Sequence, residues 1–364
     1  MKKISTVKIK SQAASKKVTI GMDLGDRSSR YCMLDEEGVV IGEGSTPTTK
    51  AGMAKVFGAM ARCRIALETG CHSPWVSRQL QAFGHEVIVA NARNVRLIGE
   101  STRKDDRLDA RTLARLARID PNLLSPVRHR GAEAQAHLAV IRARRVLVRA
   151  RTMLVNAARG LTKSFGERLR KSGAGQVGPT LAAELSPEIR AAVSPLLAEV
   201  EALNQRIAAY DRKIEQLAKE HYPEVERLTK IKGVGTLIAL TFVLTVDDPS
   251  RFQKSREVGC YMGLRPGRRN SGKSEPQLHI SKEGDRYMRT LLVQGAHYIL
   301  GPFGSDCDLR RWGLKMSERG GKNAKKRAIV AVARKLAVLL HKLWVSGEAY
   351  DPLRNSRQVA AHAA

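Results

Sequence analysis

Apolar and polar positions change their rhythm three times along the chain, and each change marks a different kind of structure. From residue 18 the apolar positions come in short runs: Val18–Leu24, Arg30–Leu34 and Val39–Gly42 read as three strands, with Asp35-Glu-Glu-Gly38 as a hairpin turn. A helix near Ala51–Ala61 follows, then a strand ending at Glu68, a helix from about Ser73 to Phe83, a short strand Glu86–Ala90 and a helix Lys104–Arg118. Three antiparallel strands followed by strand–helix alternation is the order of a ribonuclease-H-like sheet. From about 130 to 224 the period becomes helical. Leu196, Val200, Leu203, Ile207, Tyr210, Ile214 and Leu217 recur in steps of four and three, an a/d seam that favours a parallel two-stranded coiled coil, with Ser194 and Pro195 as its N-cap and first residue. The preceding helix carries its own stripe, Val140, Leu147 and Leu154 beside Ile141, Val148 and Val155. The two helices either join two copies of the chain or pack on each other within one; dimerisation is the expectation.

Beyond about 225 the pattern is mostly helical again. Leu228–Leu240 reads as helix, Gly-x-Gly turn, helix, the helix-hairpin-helix pattern, in which Gly233 and Gly235 can bring backbone amides to a phosphate. A long amphipathic helix spans Ala324–Trp344, with Lys325, Lys326 and Arg327 at the end where the helix dipole disfavours cations. The fold expected is therefore α/β plus α. Its parts are a basic tail (1–16), a ribonuclease-H or RuvC-like domain (17–125), a helical coiled-coil region (126–224), a mostly helical domain with the helix hairpin (225–346) and a second tail (347–364).

Charge narrows the partner. Against 64 Lys and Arg stand 35 Asp and Glu, a net +29, which is a field for polyanions, and nucleic acid is the partner expected. No stretch approaches the roughly 20 apolar residues of a membrane span. The five cysteines are unpaired by motif, and the first residues have charge without an apolar core, so neither a disulfide framework nor a signal peptide is expected, and the location expected is cytoplasmic and nucleoid-associated. Arg142, Arg145, Arg149 and Arg151 line one helix and would follow a phosphate backbone without reading sequence.

Four carboxylates carry the candidate chemistry. Asp23 and Glu68 each close an apolar strand, where a charge is costly unless paired or metal-bound. Asp106 and Asp109, three apart, share a helix face, whereas Asp105 lies about 100° further round. Asp26 would replace Asp23 only if the strand register shifted. One pair of divalent cations, Mg²⁺ or Mn²⁺, held between the four would clamp the attacking and leaving oxygens of a phosphodiester. The opening Gly21-Met-Asp-Leu-Gly25 also looks like that of sugar kinases and actin-like ATPases, but no Asp-Gly-Gly-like nucleotide loop follows it. Ser271 sits in a small turn with Arg268, Arg269 and Lys273, cations able to neutralise a phosphate; taken alone, it reads as a loop residue.

Together, Met22-Asp-Leu-Gly25, Ala66-Leu-Glu-Thr-Gly70, Lys104-Asp-Asp-Arg-Leu-Asp-Ala-Arg111, Ile231-Lys-Gly-Val-Gly235, Tyr261-Met-Gly-Leu-Arg-Pro266, Asn270-Ser-Gly-Lys273 and Ile280-Ser-Lys-Glu-Gly284 resemble the DEDD transposases of bacterial insertion sequences, recombinases guided by a bridge RNA. The family pattern often reads Lys-Thr-Asp where this chain has Lys104-Asp-Asp106, and its hairpin turn usually begins Pro-Gly where this chain has Lys232-Gly233. The resemblance implies a RuvC-like domain using Asp23, Glu68, Asp106 and Asp109, and Ser271 as nucleophile forming a phosphoserine link to DNA. It also implies Mg²⁺, a guide RNA, donor and target double-stranded DNA, and a dimer or tetramer whose site is completed between subunits. Two rival classes stand beside it: a Holliday-junction nuclease needing only the carboxylates, and a non-catalytic basic coiled-coil protein.

Overall fold

The computed structural model describes residues 18–91, 106–271, 274, 276 and 278–357, with residues 106–108 described by their backbone alone. Asp105, Lys273 and the expected 1–16 tail lie outside the described residues. The chain divides into two units, the first ending at His129 and the second beginning at Arg130.

The first unit is built on strands β1 (Thr19–Asp23), β2 (Ser28–Leu34), β3 (Val40–Pro47), β4 (Arg64–Glu68) and β5 (Glu86–Ala90), in the order β3-β2-β1-β4-β5. The first three strands form an antiparallel meander, and β4 and β5 run parallel to β1. The hairpin closes as its sequence requires: Gly38 takes φ +85° and donates to the Asp35 carbonyl at 3.2 Å, while Val39 donates to Asp35 Oδ1 at 2.8 Å. Strand alternation then divides the core between two faces. Ile20, Met22, Ile65 and Leu67 pack with Met53 and Phe57 of α1 (Lys50–Phe57) and Val76 and Leu80 of α2 (Ser73–Ala82). On the opposite face, Ala66 packs with Leu113, Leu116 and Ala117 of α3 (Asp106–Ile119).

That helix lies hard against β1. A Cβ placed on Gly21 would come within 2.0 Å of the Ala110 carbonyl oxygen, so glycine is the residue that admits the helix here. The direction of α3 is fixed at its far end. Arg64, which opens β4, donates to the Ala117 carbonyl at 3.1 Å, and Arg118 donates to the Glu36 carbonyl at 3.0 Å. The last turn of α3 therefore sits where β1 and β4 begin, and its first turn sits where they end.

The second unit is helical: α4 (Ala132–Ser164), α5 (Pro187–His221), α6 (Glu224–Leu228), α7 (Thr236–Val246), α8 (Arg256–Tyr261), α9 (Arg286–Leu300), α10 (Asp308–Ser317) and α11 (Ala324–Ser346). Helices α4 and α5 form an antiparallel pair. Val155 and Ala158 pack with Ile189, Val193 and Leu197 at one end, and Leu138 and Ile141 pack with Ile214 and Leu217 at the other. The heptad seam is thus buried inside one chain, where a parallel pairing was expected. A seam reports that a helix neighbour exists and leaves open which chain supplies it. The expected start of α5 is also corrected: Ser186 is the N-cap, Pro187 opens the helix and Pro195 lies inside it. Ser-Pro occurs at both places, and only the first has the preceding loop, where Glu167 accepts from the Ser186 amide at 3.0 Å and from its hydroxyl at 2.6 Å.

The lower ends of α4 and α5 join α7, α9 and α11 in a single core. Helix α7 is buried continuously from Ala239 to Val246, which explains its unbroken apolar sequence. Part of the stretch expected as a tail is tied to the helical unit: Asp308, opening α10, accepts from the amides of Asn355 (2.6 Å) and Ser356 (3.1 Å). Its carboxylate supplies acceptors that sequence reading did not assign to that segment. Among the described residues, no helix is long and apolar enough to cross a membrane.

Candidate catalytic site and nucleic-acid surfaces

Asp23 and Glu68 occupy equivalent positions on neighbouring parallel strands. The register pairs Gly21 with Ala66 and Met22 with Leu67, and each carboxylate is the next residue along. Adjacent strands lie about 4.8 Å apart. By alternation both acids share the face of Gly21 and Ala66, the one α3 covers; both are half-buried. Asp109 is exposed in the first turn of α3, next to the Ala110 that crosses Gly21, and Asp106 opens that helix one turn earlier. All four candidate positions therefore belong to one end of the first unit. Acids in a helix's first turn also suit its dipole, an ordinary stabilising placement.

The donors are all carboxylate oxygens, a set suited to Mg²⁺ or Mn²⁺ and poorly suited to soft metals. Ligand atoms of Asp23, Glu68 and Asp109 do not gather as a trio within 4.8 Å of one another. A two-metal centre spreads its ligands over ions about 3.5–4 Å apart, so its outer carboxylates stand further from each other than those around one ion.

Asp26 is off the strand, with its side chain 93% exposed and His72 Nε2 3.5 Å away. Of the two, Asp23 is the one held in the strand register, paired with Arg30. His72 Nδ1 accepts from Trp75 Nε1 at 3.1 Å, which leaves Nε2 to carry the hydrogen toward Asp26. Sequence reasoning passed over His72, although it stands only four residues beyond Glu68.

Ser271 lies near the tip of an arm. Pro266 bridges Ile280, Gly267 donates to the His279 carbonyl (2.9 Å), and Ser281 donates to the Arg265 carbonyl (2.8 Å). Further out, Ser271 and Ser274 exchange backbone hydrogen bonds at 3.2 and 3.0 Å. Ser271, Arg268 and Arg269 are exposed. At the base two glycines with positive φ, Gly263 (+67°) and Gly284 (+74°), let the chain cross itself. A Cβ on either would meet a backbone oxygen, that of Glu283 or Tyr261, at 2.0 Å. Arg289 laces the crossing, donating to the carbonyls of Met262 and Gly284, each at 3.1 Å, and to that of Glu283. The two sequence motifs Tyr261–Pro266 and Ile280–Gly284 are thus the two legs of one base. Arg289 went unnoticed because its role appears only once those legs are paired.

Three of the four candidate arginines on α4 converge. Arg142, Arg145 and Arg149 line a cleft of about 280 Å³ with Arg286 and Tyr287. Arg145 stacks over the Tyr287 ring at 4.5 Å, and Asp285 lies 3.6 Å from Arg142. Arg151 is apart from this cleft, donating to Asn204 Oδ1 at 2.9 Å. Around the Gly-x-Gly segment the short helix α6 ends at Leu228, Gly233 turns the chain at φ +94°, and Gly235 is the N-cap of α7. Lys232, Gly233 and Gly235 edge a second cleft of about 410 Å³.

Comparison with known proteins assigns this architecture to a class. A DEDD transposase family profile matches residues 20–165, the span holding all four carboxylates, and the profile of the transposase IS116/IS110/IS902 family matches residues 225–302, the span holding the helix hairpin and the Ser271 arm. The transposase of insertion sequence element IS1111A from Coxiella burnetii is 29% identical, covering 91% of this chain and 90% of its own length. A protein described as "Probable family 20 transposase" from Pseudomonas aeruginosa is 29% identical over 83% of this chain and 90% of its own length. The transposase of element IS1328 from Yersinia enterocolitica is 26% identical over 77% of this chain and 83% of its own length. The chain is a DNA transposase and belongs to the IS110-type family of insertion-sequence transposases. This disfavours the Holliday-junction nuclease and the non-catalytic coat protein.

Proposed function

We propose that this transposase exchanges DNA strands at a RuvC-like centre formed by Asp23, Glu68, Asp106 and Asp109, with Ser271 as nucleophile. The observation that carries the reading is the pairing of Asp23 and Glu68 at the ends of adjacent parallel strands, beside the first turn of α3. Divalent ions held there, Mg²⁺ or Mn²⁺, would supply Lewis-acid stabilisation of charge on the phosphate oxygens. Ser271 Oγ loses its proton and bonds to phosphorus, and the bond from phosphorus to a sugar oxygen breaks, that oxygen taking up a proton. A sugar hydroxyl of the second duplex then attacks the phosphoserine and Oγ leaves, so the number of phosphodiester bonds is conserved. Arg268 and Arg269, exposed on the Ser271 arm, neutralise the phosphate. Support for the serine lies in its exposure on a small arm with a tightly tied base.

The same reading gives the enzyme donor and target double-stranded DNA, a bridge RNA bound by part of the +29 charge, action as a dimer or tetramer, and a cytoplasmic place on the nucleoid. The arginine cleft and the helix hairpin, with Gly233 and Gly235, hold the backbone of these nucleic acids. The test is excision of the intact insertion element in cells, read by PCR across the rejoined ends, with a denaturing gel for protein–DNA adducts. Ser271→Ala and Asp23→Asn should each abolish excision, and Ser271→Ala should remove the adduct. Excision persisting in Ser271→Ala would dismiss the serine route.

A further inference from the structure

We propose that the second unit carries a transition-metal site, formed by Glu133, His137 and His221, that clamps the base of the α4–α5 pair. Among the described residues this is the group of three His, Cys, Asp or Glu whose ligand atoms all lie within 4.8 Å of one another. Glu133 and His137 are four apart in the first turns of α4 and so share a helix face; His221 ends α5. His221 Nδ1 is 3.2 Å from Glu133 Oε1, and the two imidazole rings stand 4.9 Å apart between centroids.

The plain alternative is an ion pair between Glu133 and His221. It accounts for His221, whose Nε2 also lies 3.9 Å from Glu220 Oε2, but not for His137 bringing a ring nitrogen within 4.8 Å of both the Glu133 and the His221 ligand atoms. Two neutral imidazoles with a carboxylate are instead the donor set of an open zinc site, three protein ligands with water completing the tetrahedron. The orientation of His137 fits as well. Its Nδ1 pairs with the Tyr222 hydroxyl at 2.8 Å, the kind of outer contact that fixes a ligand imidazole when its other ring nitrogen binds the ion. Mixed nitrogen and oxygen donors favour Zn²⁺ over Mg²⁺, so the site is chemically distinct from the all-carboxylate cluster of the first unit. Its effect is mechanical: it ties the first turn of α4 to the last turn of α5, just before the chain enters α6. No part of this depends on the serine or carboxylate chemistry.

The test uses the untagged full chain in excess Mg²⁺, titrated with Co²⁺ as a spectroscopic stand-in for Zn²⁺ and then with Zn²⁺ itself against a competing chelator. The comparison variants are His137→Gln plus His221→Gln, Glu133→Gln, and Cys71→Ser, which removes the exposed cysteine as a competitor. The wild type and Cys71→Ser should each take up one Co²⁺ with visible ligand-field absorption and show a higher Tm with Zn²⁺. The double histidine variant should lose that uptake and Tm shift. Glu133→Gln, whose side chain is exposed and does not disturb packing, should bind Zn²⁺ at least ten-fold more weakly. Equal Zn²⁺ affinity in the wild type and Glu133→Gln, or uptake lost in Cys71→Ser, would overturn the site.

Discussion

At the residue scale, Gly21 and Asp23 divide the work of building the carboxylate cluster. The strand-end positions of Asp23 and Glu68 were legible, because each acid closes an apolar run. Gly21 was not, because the need for a missing side chain shows only when α3 is laid across β1, with Ala110 at van der Waals limits. Gly21→Ala should therefore destabilise the first unit by about 1–3 kcal/mol or more, as overpacking does, visible as a lower denaturant midpoint. A midpoint equal to that of the wild type would mean that α3 does not press on this strand. Asp26→Asn, by contrast, should leave excision within about two-fold of wild type, since its exposed side chain lies outside the strand register.

At the element scale, the period of hydrophobic residues located the helices and strands, but not their partners. The seam from Val200 to Leu217 was read correctly as a helix face. Its burial against α4 of the same chain could not be read, because any apolar stripe would serve. Pro195 shows the same limit: the Ser-Pro signature marks a helix start equally well at 186 and 194, and tertiary packing decides. The Ser271 arm was legible only as separate motifs, since backbone pairing between Arg265 and Ser281 leaves little trace in side-chain pattern. Its stiffness depends on Arg289, whose Nη1 is shared among the carbonyls of Met262, Glu283 and Gly284. Arg289→Gln should speed hydrogen exchange at the amides of Gly267 and Ser281, while the amides of α7 keep their protection. Unchanged exchange at those two amides would show that the arm holds itself.

At the scale of the whole molecule, an excess of cations is spread over a chain of two units. Composition established a polyanion partner; it did not reveal that Arg286 would complete the cleft begun by Arg142, Arg145 and Arg149, because that requires α9 to lie beside α4. Nor did it reveal that Arg151 would be turned to Asn204. Binding should accordingly weaken in Arg149→Ala evenly across DNA sequences, with the slope of log affinity against log salt reduced by about one. A sequence-dependent loss would mean that this arginine reads bases.

The cluster of carboxylates is most directly tested by crystallising the chain on its DNA with Mn²⁺ and measuring anomalous scattering at the manganese edge. The expected result is a pair of peaks about 3.5–4 Å apart, shared by Asp23, Glu68 and the first turn of α3, and lost in Asp23→Asn. Manganese bound elsewhere, with Asp23 and Glu68 touching no ion, would contradict a two-metal transposase centre at this end of the sheet.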